Sequence, residues 1–136
     1  MGQELFLVDS NVFLELLLEQ VRAAECGAFF NWCEARDMPI VITAFSLYGM
    51  EVVLESKDAR YKIQTLLDFC TRSEIVKVRY TNPEEERQIF SIANERNLDI
   101  DDAHQYWAAK KLGARLVSFD ADFDKTDLRR FEPAAI

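Results

Sequence analysis

The sequence predicts an α/β fold, a parallel sheet with helices on both faces. Two observations carry that expectation. Short apolar runs alternate with longer stretches of helical periodicity along the chain. No repeat, low-complexity tract or linker interrupts the alternation, so its 136 residues are expected to form a single domain, 1–136.

"ELFLVDS" is a short apolar run ending in a polar corner, as a buried strand would. "NVFLELLLEQVRAAECGAFFNWCEA" follows with Phe13, Leu16, Leu17, Val21, Ala24 and Ala28 at helical spacing, and reads as one helix or as two broken at Gly27. "DMPIVITAF" carries a second strand over Ile40–Thr43, with Pro39 fitted to its edge. "FSLYGMEVVLES" and "DARYKIQTLLDFCTRS" read as two helices, and "EIVKVRY" alternates like a third strand. "NPEEERQIFSIANERN" opens with a helix-start signal: Asn82 as cap, Pro83 at the first position, acids in the first turn. "DDAHQYWAAKKLG" is a further helix stopped by Gly113. "ARLVSFD" is the fourth strand, its apolar run spanning 116–119, and "LRRFEPAAI" has room for a short edge strand.

The composition, 49% hydrophobic and 29% charged with few Gly and Pro, is that of an ordinary globular chain. No apolar run approaches the span of a bilayer, so no membrane partner is expected. The opening "MGQELFLVDSN" lacks the basic and long apolar regions of a secretory signal, and Phe6 stands where a myristoylation motif needs Ser or Thr. Cys26, Cys33 and Cys70 form no C-x-x-C pair and have no histidine cluster beside them, so reduced core cysteines in a cytoplasmic protein are expected. The net charge of −8 argues against broad, charge-driven binding to nucleic acid or membrane. It leaves room for a nuclease, because a bound metal ion reverses the sign of a carboxylate-lined site.

In parallel α/β sheets ligands bind beyond the carboxyl ends of the strands, where strand order reverses. The first strand ends at Asp9 and the fourth at Asp120, so both acids would lie at the same end of the sheet. Three clusters stand out: Asp9, Ser10 and Asn11; Asp99, Asp101 and Asp102; and Asp120 with Asp122. Converging carboxylates repel one another and call for a counter-ion. An all-carboxylate set suits Mg²⁺ or Mn²⁺, and a pair of such ions can clamp an in-line phosphoryl displacement. Each acid also has a plainer reading. Asp9 and Asp120 could simply end strands, and Asp99 reads mainly as a helix cap. Asp101 should point about 100° around the helix from Asp102, toward solvent. Asp124 and Asp127 read as solvated loop charges, Glu84–Glu86 as a solvated face, and His104 as a surface helix position. Phe29, Phe30, Trp32, Tyr106 and Trp107 read as packing residues.

"LFLVDSNVFLELLL" near the start and "LDIDDAHQYWAAKKLGARLVSFDADF" near the end resemble PIN-domain proteins, with the nearest likeness to VapC-type toxins of type II toxin–antitoxin pairs. The resemblance implies a PIN-like three-layer α/β/α sandwich with a central parallel sheet. It also implies metal-dependent hydrolysis of RNA phosphodiesters leaving 5′-phosphate and 3′-hydroxyl ends. By that likeness Asp9, Asp102, Asp120 and Asp122 are the catalytic and metal-holding acids, and Mg²⁺ or Mn²⁺ is the cofactor. Ser10 and Asn11 match the small polar residues that orient the first acid, and Ser118 matches a small hydroxyl residue beside the site. One departure is plain. The family pattern T-x-x-E after the second strand is here "TAFS", so Ser46 stands where a glutamate is expected. Glu51 lies about 140° around the helix from Ser46 and cannot replace it without a change of phase. Glu15 is a further acid within reach along the first helix.

The function expected is therefore an RNA-cleaving toxin with a cognate antitoxin as partner, present as a homodimer in the cytoplasm. Lys57, Arg60 and Lys62 are candidates for contacting RNA. The alternative is a catalytically weakened PIN-like regulatory module that binds RNA or protein, since Ser46 removes one carboxylate. A phosphatase with an aspartyl nucleophile would need D-x-D after the first strand, where this chain has Asp9 followed by Asn11.

Overall fold

In the computed structural model, which describes residues 4–136, strands and helices alternate along the chain. The opening Met1, Gly2 and Gln3 lie outside the described residues. In chain order the elements are β1 (Phe6–Val8), α1 (Ser10–Leu17), α2 (Ala23–Ala35), β2 (Ile40–Thr43), α3 (Ala44–Ser56) and α4 (Tyr61–Arg72). They continue with β3 (Val76–Arg79), α5 (Pro83–Arg96), α6 (Ile100–Leu112), β4 (Arg115–Val117) and β5 (Arg130–Phe131). Short 3₁₀ turns occupy Ala121–Lys125 and Pro133–Ala135.

All neighbouring strands are parallel, in the order β3-β2-β1-β4-β5. From β1 the chain winds outward through β2 and β3, then crosses back to lay β4 and β5 on the other side. Strand order thus reverses between β1 and β4, and Val8 faces Val117 at that line. The strands carry a period-2 split between two cores. Phe6, Val8, Ile40, Ile42, Val76 and Val117 pack against α1–α4 through Phe13, Phe30, Met50, Leu54 and Leu66. Leu7 and Leu116 face the other way, onto Ile89, Ala103, Trp107 and Phe123. The result is the expected three-layer α/β/α sandwich with a central parallel sheet. Each fully buried large apolar side chain contributes roughly 1.5–3 kcal/mol. Phe6, Leu7, Ile40 and Leu116 have no exposed surface, so the strands need little length to be held.

The helix ends follow their local chemistry. Asn82 accepts the Glu85 N–H at 2.9 Å while Glu85 accepts the Asn82 N–H at 3.1 Å, a reciprocal cap. Gly113 ends α6 in the left-handed region at φ 62°. Cys26 and Cys33 share the buried face of α2, and burial pushes both thiols up to about 11. They are inert packing groups at neutral pH.

Two boundaries differ from the sequence expectation. The helical stretch after β1 does divide, but over 18–22 rather than at Gly27. Glu19 takes a left-handed φ of 53°, and the Glu15 carboxylate accepts the Arg22 N–H at 3.0 Å to start the new helix. Gly27 lies inside α2, where a Cβ would stand 3.6 Å from Leu16 Cδ1. At that distance a Cβ makes ordinary van der Waals contact, and α2 runs through Gly27 without a break. The fourth strand ends at Val117 instead of running to 119, because the Ser118 hydroxyl accepts the Asp120 N–H at 2.9 Å and bends the chain.

Gly113 and Gly49 make a paired test, since a Cβ at either meets nothing within 4 Å. Gly113→Ala is expected to lower the unfolding free energy by about 1 kcal/mol, because only the left-handed backbone opposes it. Gly49→Ala, in the exposed interior of α3, is expected to raise it by about 0.5–1 kcal/mol. Urea denaturation midpoints of the two variants should move in opposite directions.

Candidate active site

The site begins where β1 and β4 leave the sheet together. The Asp9 N–H donates to the Val117 carbonyl at 2.9 Å, which fixes the first acid against the end of the fourth strand. The Asp9 carboxylate is almost wholly buried, at 3% exposure, and its hydrogen bonds are local. Its Oδ1 accepts the Ser10 N–H at 2.8 Å, capping α1, and its Oδ2 accepts the Ser118 hydroxyl at 2.7 Å. Asn11 closes the arrangement. Its Nδ2 lies 3.3 Å from Asp9 Oδ2, and its Oδ1 accepts the Phe119 N–H at 3.3 Å. Ser10, Asn11 and Ser118 are thus all set against Asp9, and the fully buried Ser118 joins Asp9 to the backbone of Asp120.

The first turn of α6 brings the remaining acids. Asp99 caps the helix by accepting the Asp102 N–H at 2.8 Å. Asp102, the third residue of α6, lies within the field of Asp9 and Asp120 and is 5% exposed. Carboxylate oxygens of Asp102, Asp120 and Asp122 lie within 4.8 Å of one another. Asp120 is held by accepting the Asp122 N–H at 2.9 Å, so the 3₁₀ turn after β4 presents both acids from one short segment.

The electrostatics of this group are unfavourable as they stand. Burial raises Asp9 to about 6, helped by the charges of Asp101 and Asp120 and opposed by the hydrogen bonds from Ser118 and Ser10. Burial raises Asp102 to about 7, with Asp120, Asp99, Asp101 and Asp9 all adding to the shift. Among the described residues no lysine or arginine nitrogen comes within 4.0 Å of Asp9, Asp101, Asp102, Asp120 or Asp122. The donor set is carboxylate oxygen without histidine or thiol, which fits a hard divalent cation such as Mg²⁺ or Mn²⁺.

Ser46 is buried in the first turn of α3, where its N–H donates to Thr43 Oγ1 at 3.0 Å. Its hydroxyl accepts from Gln105 Nε2 at 2.5 Å, so a neutral pair joins α3 to α6. Gln105 has no exposed surface, and its Oε1 has no hydrogen-bond partner among the described residues. Glu51 lies instead in a groove between α3 and α4 with Tyr48, Glu55 and Arg60. Glu15 is occupied by the Arg22 N–H. The basic candidates have other ties: Lys62 bonds the Leu17 carbonyl, and Arg60 sits 3.9 Å from Glu55. Two other arginines touch the segment that follows β4. Arg22 lies over the Phe119 ring at 4.0 Å, and Arg130 donates to the Ser118 carbonyl at 3.3 Å.

Several acids expected in solvent are engaged. Asp101 is half-buried rather than solvated, and burial with its neighbours Asp99 and Asp120 raises it. His104 is buried, not a surface residue. Its Nδ1–H donates to the Ile100 carbonyl at 2.8 Å, and its Nε2 lies 3.0 and 3.1 Å from the Glu86 oxygens. Glu86 and Glu85 are likewise paired, the latter with Arg79 at 2.8 Å. Asp124 pairs with Arg130, and Asp127 with Lys110 and Tyr106. These pairings join charges across turns and between elements, so the charge pattern along one helix does not reveal them.

The PIN domain family model matches residues 6–128. No curated protein sequence matches the chain. Solved structures share the fold at low identity. The Mycobacterium tuberculosis VapC20, a sarcin-ricin loop cleaving toxin, superposes with a TM-score of 0.78 at 18% identity, covering 94% of this chain and 99% of that one. VapBC2 from Rickettsia felis, bound to a DNA fragment from its promoter, gives 0.70 at 12% identity over 94% and 98%. A toxin–antitoxin complex from Klebsiella pneumoniae gives 0.65 at 15% identity over 96% and 98%. With the family model spanning the acids of β1, α6 and β4 alike, the chain belongs to the PIN-domain family.

Proposed function

We propose that this PIN-domain chain is a divalent-metal-dependent endoribonuclease and the toxin of a toxin–antitoxin pair. The observation that carries the reading is the meeting of Asp102, Asp120 and Asp122 within 4.8 Å at the edge where strand order reverses, with the buried Asp9 tied to the Asp120 backbone through Ser118. Asp102, Asp120 and Asp122 would hold Mg²⁺ or Mn²⁺, with Asp9 behind them as the buried fourth acid. A divalent cation bound there supplies charge neutralisation and Lewis-acid activation for displacement at phosphorus. Ser118 holds both the Asp9 carboxylate and the Asp120 backbone, so its part is to fix the separation of two acids. Asn11 keeps the loop after β4 against α1.

The partner in this reading is a cognate antitoxin, and the working state is a cytoplasmic homodimer. The fold likeness to toxin–antitoxin complexes supports the partner. Among the described residues no helix is long and apolar enough to cross a membrane. A second reading has one observation in its favour. The neutral Ser46–Gln105 pair replaces a carboxylate, which would suit a module that binds RNA or protein and cleaves weakly or not at all.

Cleavage of a mixed RNA pool with and without Mn²⁺ separates the two readings. Wild type is expected to cleave only with the metal, and Asp9→Asn to lower the rate by about 100-fold or more. No cleavage by wild type at any Mn²⁺ concentration would favour the regulatory module. Ser118→Ala is expected to weaken Mn²⁺ binding by about 10- to 100-fold in calorimetry while leaving the folded spectrum intact.

The raised acids also set a pH dependence. A free aspartate titrates at 3.8, whereas Asp9 and Asp102 in the folded chain sit at about 6 and about 7. Between those limits the folded state binds more protons than the unfolded state, so these two groups make metal-free stability fall as pH rises, and the loss is complete above about pH 7. Asp102→Asn should therefore be more stable than wild type in EDTA at about pH 8, by on the order of 1–3 kcal/mol, with the advantage shrinking toward about pH 4. Denaturation midpoints of the two proteins across that range test the sign.

A further inference from the structure

A second hollow opens on the same rim of the sheet, lined by Ala44, Phe45, Tyr48, Tyr80, Thr81, Glu86 and His104 with a volume of about 200 Å³. Its place follows from the topology. Ala44 and Phe45 come directly after β2, Tyr80 and Thr81 directly after β3, and His104 is two residues past Asp102 on α6. The hollow therefore lies beyond the carboxyl ends of β2 and β3, beside the acids beyond β1 and β4.

Its chemistry differs from that of the acid cluster. Tyr48 and Tyr80 are 54% and 59% exposed, an unusual outlay of aromatic surface around one small concavity. Phe45 stacks on the His104 imidazole with ring centres 4.4 Å apart and planes 22° from parallel, so the inner wall is a flat, fixed platform. At its end stands Glu86, whose carboxylate is pinned by His104 Nε2 and by the Thr81 hydroxyl yet keeps 45% of its side chain exposed. Flat aromatic faces with an oriented hydrogen-bonding group at one end are the means by which proteins take an unpaired base. A carboxylate that only accepts needs two adjacent donors on the base edge. Guanine presents N1–H beside its 2-amino group, whereas adenine, cytosine and uracil each place an acceptor in that pair.

We infer that this hollow is a nucleobase subsite that takes an unpaired guanine of the RNA, stacked among Phe45, Tyr48 and Tyr80 and held on its Watson–Crick edge by Glu86. The inference rests on the reading of the chain as an enzyme acting on RNA, and it names how the substrate is chosen. It also meets a physical need. A chain of net charge −8 cannot collect a polyanion by charge alone, so affinity must come from the bound cation and from stacking. The base subsite and the acids share one rim, so a single strand laid across it would offer a base to one and a phosphate to the other.

The test is binding, measured separately from cleavage. The 136-residue chain carrying Asp9→Asn to stop turnover is titrated, by fluorescence anisotropy, into labelled uridine octamers holding one central guanine, inosine or adenine. Guanine is expected to bind about 10-fold tighter than adenine, with inosine, which lacks the 2-amino group, between them. Adding Glu86→Gln should erase the preference, and adding Tyr48→Ala should weaken guanine binding about 10-fold. Circular dichroism checks that each variant is folded, and if Glu86→Gln is not, the base series and Tyr48→Ala decide. Equal binding of guanine and adenine overturns the subsite, as does a preference that survives in Glu86→Gln. So does sedimentation in which Tyr48→Ala or Tyr80→Ala turns a dimer into a monomer, since the hollow would then belong to a second copy. A chain that binds guanine but cleaves no RNA with Mn²⁺ refutes the nuclease reading alone. One that cleaves RNA without base preference refutes the subsite alone.

Discussion

The pairing of Val8 with Val117 is the constraint on which the site depends. Two strands of three residues each, adjacent and parallel, deliver the chain to the same edge at the same height. One residue later the Asp9 N–H takes the Val117 carbonyl, and the Ser118 hydroxyl takes the Asp9 carboxylate. A slip of one residue in that register would turn Asp9 to the other face of the sheet and leave Ser118 without its acceptor. The buried neighbours Phe6, Leu7, Val8, Leu116 and Val117 prevent such a slip, since each would trade one packed core for the other. The geometry of the acidic site is thus a consequence of sheet packing.

That geometry is held against electrostatic cost. Asp9 and Asp102 are buried among three further acids, and both are pushed toward the protonated form. The site is stable as a set of ions only with a cation present, and the local hydrogen bonds show how the chain limits the cost meanwhile. Ser10, Asn11 and Ser118 direct their donors at Asp9, so its charge is partly compensated before any metal arrives. Asp120 and Asp122 lie nearer solvent. The acids are graded from a buried, hydrogen-bonded one to an open one, an order that would suit a cation arriving from solvent.

Much of this was legible because it is written locally. The apolar run Ile40–Thr43 is a strand from end to end, Asn82 and Asp99 cap the helices they precede, and Gly113 stops the helix before it. Asp9 and Asp120 were visible as acids that close apolar runs, and the rule for parallel sheets put them at one edge. What escaped was whatever depends on a distant segment. Helical phase alone sends Asp101 and His104 to solvent, but Asp101 is half-buried beside the charges of Asp99 and Asp120, and Phe45 with Glu86 encloses His104. Gly27 is of a helix-breaking residue type, yet α2 runs through it because the chain has already turned at Glu19. Arg22 gave no signal, since its partner Glu132 is brought to it only by the fold.

The Ser46–Gln105 pair shows how local absence and collective field combine. A carboxylate at position 46 would stand in the first turn of α3, buried, on the same rim as Asp9 and Asp102. Ser46 instead offers a hydroxyl to a buried amide, which removes that charge without leaving a cavity of unmatched polarity on its own side. The field at the acids does not fall in proportion, because Asp101 is half-buried on α6 and its charge raises both Asp9 and Asp102. Charge removed from one wall of the pocket is in part supplied from another. Coulomb interactions fall off slowly enough in a partly buried site that the attraction for a cation follows the sum of the carboxylates, while the geometry of its ligands follows the three that come within 4.8 Å. Affinity and ligation are therefore set by different subsets of the same acids, and a substitution such as Ser46 weakens the first less than it narrows the choices available to the second.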